Sequence, residues 1–67
     1  MKIGDNVKIR TTSEFYNDGW DYNPMDVVGV ITSLNGSGTQ EGLPIDVKWP
    51  GLSAVNDYAE HDLELVK

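Results

Sequence analysis

The sequence predicts an all-β domain, a small barrel of four or five short strands with a 3₁₀ turn before the last strand. Three observations lead there. Apolar and β-branched residues alternate with polar ones in short runs such as VKIR and IDVKW. Turn-forming pairs, Gly4-Asp5, Asn35-Gly36 and Pro50-Gly51, bound those runs. No segment reads as a helix of more than one turn. A chain of 67 residues holds one domain, residues 1–67, because a domain of this size buries only about 60% of the surface its unfolded form exposes and cannot supply two cores.

In the first strand Val7 and Ile9 share one face, with Lys8 and Arg10 on the other, after a bend at Gly4-Asp5. From Thr11 to Asp26 the alternation lapses into TTSEFYNDGWDYNPMD, where turn formers are interrupted by Phe15, Tyr16, Trp20 and Tyr22. So many rings in one loop either fold back on the barrel or form a surface. The simpler reading has Phe15 and one other ring capping the open barrel end.

Val27 to Leu34 predicts the second strand, ended by Asn35-Gly36, a favoured hairpin pair, with Ser37 to Gly42 as a polar tip. Gly29 inside it marks a close approach or a sharp bend of the sheet, since glycine otherwise weakens a strand. Leu43 and Pro44 lead into the third strand, where Ile45, Val47 and Trp49 face inward and Asp46 and Lys48 outward. Pro50 stops the ladder, having no N–H to donate. Leu52 to Asp62 is expected to carry the chain over the barrel end, with DYAEHD as a single 3₁₀ turn capped by Asn56 or Asp57. The last strand, Leu63 to Val66, pairs beside the first with Leu63 and Leu65 inward and Glu64 outward. The predicted core is therefore Ile9, Ile31, Val47, Trp49 and Leu65. Such a chain closes as an SH3-like barrel, and closure removes exposed sheet edges.

Composition limits the chemistry. There is no cysteine, so there is no disulfide framework, and the lone His61 cannot make a four-ligand zinc site; no cofactor is expected. Five basic against eleven acidic residues give a net charge of −6. That field repels phosphates and anionic membranes and attracts a basic protein, so no duplex nucleic acid binding is expected. No apolar run approaches the roughly 20 residues of a membrane helix, and MKIGD lacks the features of a signal peptide. A cytoplasmic protein without membrane insertion is the expectation.

VKIR, SEFYND, GVITS, LPIDVKW and NDYAEHDLELV, in that order, resemble the photosystem I reaction-centre subunit IV (PsaE) family and, more generally, SH3-like small barrels such as chromo-like and Mib-Herc2-like modules. The resemblance implies that Val7 to Arg10 match the family's first strand, Ser13, Phe15 and Tyr16 the start of its first loop, and Leu43 to Trp49 its alternating valine segment. Asn56, Tyr58 and Ala59 fall on its asparagine, aromatic and alanine before the final strand. It implies a peripheral, non-catalytic role on a photosystem. Gly19 to Asp26 reads as an insertion relative to that family, and the negative charge opposes docking of an acidic ferredoxin.

Catalytic constellations are sparse. His61 with Asp57 or Asp62, and Ser53 as nucleophile, fall in one short segment of a barrel too small to surround a substrate; no enzyme is expected. Asp18, Asp21 and Asp26 lack the spacing of a calcium loop and read as a solvated acidic loop. Gly36 to Gly38 lacks the Lys-Ser/Thr and helix of a phosphate loop. For a nucleic-acid groove, acids outnumber Lys2, Lys8, Arg10, Lys48 and Lys67 two to one, and the reading rests on Lys8, Arg10 and Lys48 gathering on one outer sheet face.

Two functions remain. One is a non-catalytic protein-protein interaction module or small accessory protein, binding through Phe15, Tyr16, Trp20 and Tyr22 with Trp49 and Tyr58 nearby, since tyrosine and tryptophan carry binding energy well. The alternative is an acidic mimic of nucleic acid that inhibits a basic host protein, as a phage or viral accessory protein would. The sequence leaves the partner and the oligomeric state open.

Overall fold

The computed structural model describes residues 1–20, 22–34, 44–53 and 55–66. Five strands, β1 (Asn6–Ile9), β2 (Gly29–Ser33), β3 (Ile45–Lys48), β4 (Val55–Tyr58) and β5 (Leu63–Leu65), form one antiparallel sheet in the order β4-β3-β2-β1-β5. A 3₁₀ turn, Glu60–Asp62, precedes the last strand. The all-β class, the number of strands and the 3₁₀ turn before the last of them are as the sequence predicts. The expected pairing of first and last strands is present, with Val7 opposite Leu65 and Ile9 opposite Leu63.

The sheet curls around its core. A flat five-stranded sheet would be about 24 Å wide but only about 10 Å thick, whereas the molecule extends 26 × 25 × 24 Å. The concave face collects Val7 and Ile9 from β1, Ile31 from β2, Ile45 and Val47 from β3, Tyr58 from β4 and Leu63 from β5, with Trp49 just beyond β3. Gly29 supplies the close approach predicted for it. A Cβ there would stand 2.5 Å from Trp49 Cε3 and 2.7 Å from Val47 Cγ1, so only glycine lets the indole lie against β2.

Three expectations are corrected. Pro50 and Gly51 do not send the chain over the barrel end. They form the corner of a hairpin in which Leu52 N–H donates to Trp49 O at 3.2 Å and Gly51 takes φ 83°, the Pro-Gly pattern of a type II turn. β4 then returns along β3, with Lys48 opposite Val55 and Ile45 opposite Tyr58. Asn56 and Asp57 consequently belong to β4, and Ala59 is the N-cap of the 3₁₀ turn, its N–H donating to Asp62 Oδ2 at 3.1 Å. Leu65 is 49% exposed, because β5 is an edge strand of three residues whose inward row ends at Leu63. β4 and β5 are the two sheet ends, and among the described residues no ladder joins them; the 3₁₀ turn links them along the chain.

The second strand is shorter than expected, beginning at Gly29, and its register against β3 shifts between Ile31 and Ser33. The Asn35-Gly36 hairpin, the tip from Ser37 to Gly42, the Gly36 to Gly38 segment and Leu43 lie outside the described residues.

Candidate functional site

The long connection between β1 and β2 is anchored at its start by a buried carboxylate. Asp62 Oδ1 accepts the Ser13 hydroxyl at 2.9 Å, and Ser13 Oγ in turn accepts the Phe15 N–H at 3.1 Å. Asp62 O also accepts the Arg10 N–H at 2.8 Å. These bonds drive Phe15 onto the barrel, where its ring meets Tyr58 edge to face with centroids 5.6 Å apart. Tyr16 also packs on the core and donates its hydroxyl to the Asp26 carboxylate at 3.1 Å, which joins the two ends of the loop. That bond, followed by burial and the Asp26 charge, holds the Tyr16 hydroxyl above its ordinary pKa.

The far part of the loop is tied to the barrel by a continuous chain of polar contacts. Trp49 Nε1–H donates to Tyr58 Oη at 3.1 Å, and the Tyr58 hydroxyl donates to Asn23 Oδ1 at 2.6 Å. Asn23 Nδ2 donates to Asp18 Oδ2 at 2.7 Å, while Asp18 Oδ1 accepts the Trp20 N–H at 2.9 Å. Asn56 Nδ2, from β4, reaches both Asn23 Oδ1 at 2.7 Å and Tyr22 O at 3.1 Å. Asn23 is buried in this network, and its amide is spent on both sides, as a buried polar group requires. Burial pushes the Tyr58 hydroxyl up to about 12. The Trp20 N–H, followed by the Asn23 side chain, holds Asp18 below the usual carboxylate range, so Asp18 stays ionised.

With Asp18, Trp20, Tyr22 and Asn23 held this way, the Trp20 and Tyr22 side chains project outward. They are 55% and 45% exposed, and their rings meet at 5.2 Å between centroids with a 59° tilt. A cleft of 260 Å³ runs between this pair and β4, lined by Trp20, Tyr22, Val55 and Asn56. A second, of 250 Å³, lies on the other side of Trp20, toward Pro24 and Met25. The turn at Gly19, with φ 83°, sets Trp20 between the two.

The six candidate rings thus divide. Phe15 and Tyr16 are half-buried packing residues. Trp49 and Tyr58 are fully buried, so they support the loop from inside rather than meeting a partner; a strand-end tryptophan and a β4 tyrosine both point into the barrel. Trp20 and Tyr22 alone of the six stand outside. Asn23 and Asn56, which hold them there, were invisible as site residues, since an asparagine in a loop and one in a polar strand carry no periodic signal.

The other candidate groups do not assemble. His61 is exposed and lies 3.6 Å from Asp62, whose carboxylate is already engaged by Ser13 and Ala59. Ser53 is exposed in the turn before β4, and Asp57 faces Asp46 instead of His61. Asp18 and Asp26 are each engaged by their own loop; Asp21 lies outside the described residues. Among the described residues no three histidine or carboxylate side chains gather as a metal site would require, and no helix is long and apolar enough to cross a membrane.

Comparison with protein-family models, with curated proteins and with solved structures finds no match to this chain.

Proposed function

We propose that the protein is a non-catalytic protein-binding module whose contact surface is centred on Trp20 and Tyr22. The observation that carries this reading is an exposed, mutually packed ring pair on a loop whose backbone is bonded to the barrel core. Exposed rings gain from being covered, and a loop already held in place loses little conformational entropy on binding. Val55 and Met25, both exposed, extend the apolar centre, and Asp18 and Asn56 supply a polar rim.

The reading as an acidic mimic of nucleic acid finds less support. Mimicry calls for free carboxylates along one face, whereas Asp18, Asp26, Asp46 and Asp62 are buried or engaged within the fold.

The test is a pull-down with wild type and the Trp20→Ser, Tyr22→Ser double variant, with circular dichroism on both. The variant is expected to keep its fold and lose the specific partners. A folded double variant that retains every partner overturns the proposal.

A further inference from the structure

We propose that the cleft beside the ring pair receives an arginine-bearing segment of a basic protein, with the guanidinium lying on Trp20 and Tyr22. This rests on the protein-binding reading above and names the chemistry of its partner.

Charge selects the sign. Between Arg10 and Lys48 the chain holds no lysine or arginine, and between Lys48 and Lys67 none again, while Glu14, Asp18, Asp21 and Asp26 all fall in the ring-bearing loop and Asp57 and Glu60 follow Asn56 in the sequence. Lys48 lies opposite Val55, and its ammonium is engaged by Leu52 O, with Trp49 O at 3.4 Å. Asp18, at the foot of Trp20, keeps its charge while its oxygens bond to the loop itself, so it contributes field rather than a competing contact. Asp18 thus sets a carboxylate beside Trp20, in a chain whose net charge is −6.

Ring geometry selects the cation. The two rings, packed on each other at 5.2 Å between centroids, line the cleft together with Val55, giving it an aromatic and apolar wall. A guanidinium is flat, weakly hydrated and stacks on aromatic faces, whereas an ammonium is compact and holds its water strongly. A wall of Val55 and two rings favours the ion that loses less on partial dehydration. A second copy of this chain fits poorly, since two molecules of net charge −6 repel.

The probe is a fluorescein-labelled Gly-Ser-Arg-Gly-Ser-Arg-Gly peptide, with lysine and citrulline versions, titrated by fluorescence polarisation at low and physiological salt. Saturable binding of the arginine peptide is expected, weakening with salt, with the lysine peptide several-fold weaker and the citrulline peptide about tenfold weaker or worse. Trp20→Ser, Tyr22→Ser should abolish the difference between arginine and citrulline, and Trp20→Phe, Tyr22→Phe should keep it. Equal binding of citrulline and arginine peptides, or equal arginine binding by wild type and the serine variant, overturns the proposal. So does a Trp20-dependent dimer in sedimentation. If the arginine peptide fails while the pull-down still recovers partners that depend on Trp20 and Tyr22, the arginine assignment falls and the binding-module reading stands; loss of both fails both.

Discussion

Asp46 and Asp57 stand directly opposite one another on β3 and β4, with Asp46 only 5% exposed and its Oδ1 without a hydrogen-bond partner. Like charges at facing positions of an antiparallel pair oppose each other, and a buried carboxylate with one oxygen unpartnered is costly when ionised. Lys48, two residues along the same outer row, does not relieve them because its ammonium turns to the carbonyl of Leu52. The Asp46 carboxyl is accordingly pushed up to about 6 from its ordinary 3.8, first by sharing a hydrogen bond with Asp57, then by burial, then by the Asp57 charge.

The pH dependence follows in sign. A carboxyl whose pKa is raised in the folded state contributes stability that is full below about 4 and is lost as pH rises through about 6. Asp18, held below its ordinary pKa, acts in the opposite sense and in a separate window, since its contribution is lost only as pH falls below about 4. Wild type is therefore expected to melt lower at pH 7 than at pH 5. Asp46→Asn, which can donate to Asp57 at any pH, should flatten that slope and stabilise the protein at pH 7 by on the order of 2 kcal/mol. Thermal melts of both proteins from pH 4 to pH 8 at constant ionic strength check it, and parallel curves would remove Asp46 as the cause.

Gly29→Ala tests the contact between β2 and the indole. The new methyl would overlap Trp49 Cε3 and Val47 Cγ1, both well inside contact distance, so a loss of about 1–3 kcal/mol is expected from overpacking. Urea titration gives the magnitude, and near-ultraviolet dichroism should show the indole displaced.

Leu63 and Leu65 are two residues apart on β5 yet differ in burial, 0% against 49% exposed. Leu63→Ala is expected to cost about 2–4 kcal/mol and Leu65→Ala less than about 1 kcal/mol. Comparable losses would mean that both leucines face the core. Trp49→Ala, which empties the centre, should cost about 3–5 kcal/mol and approach the whole stability of so small a domain.

Tyr58→Phe removes one oxygen from the middle of the chain of contacts between Trp49 and Asn23. The buried Trp49 N–H is left without a partner and Asn23 Oδ1 keeps only the Asn56 amide, at a cost of roughly 1–3 kcal/mol. Hydrogen exchange should rise at the amides of Trp20 and Asn23 more than in β1 and β2, because the loop loses its hold while the sheet keeps its ladder. Uniform acceleration across the chain would make Tyr58 a packing residue only.

The rows that build the core were legible where the period is two and the inward residues are apolar. Val7 and Ile9, Ile31, and Val47 with Trp49 could be read from alternation alone, and Gly29 from its place inside a β-branched run. β4 was not, because its inward row pairs Tyr58 with Asn56, and a polar residue at an inward position erases the hydrophobic signal. Asn56 is inward in order to bond Asn23 and the Tyr22 carbonyl. The site was legible as a composition, four rings among turn formers, but not as a division into buried and exposed pairs. That division depends on Ser13 meeting Asp62 and Asn23 meeting Tyr58, contacts between segments 49 and 35 residues apart, which local pattern does not encode.

The polar chain from the core to the ring pair has a tryptophan at each end, Trp49 with no exposed surface and its N–H bonded, Trp20 half open to solvent. The two indoles are therefore separate reporters within one emission spectrum. A water-soluble quencher such as iodide should dim the red-shifted light of Trp20 and leave the blue component of Trp49, while a denaturant should shift the blue component last. Occupation of the surface and integrity of the barrel can thus be followed in a single cuvette, without any attached dye.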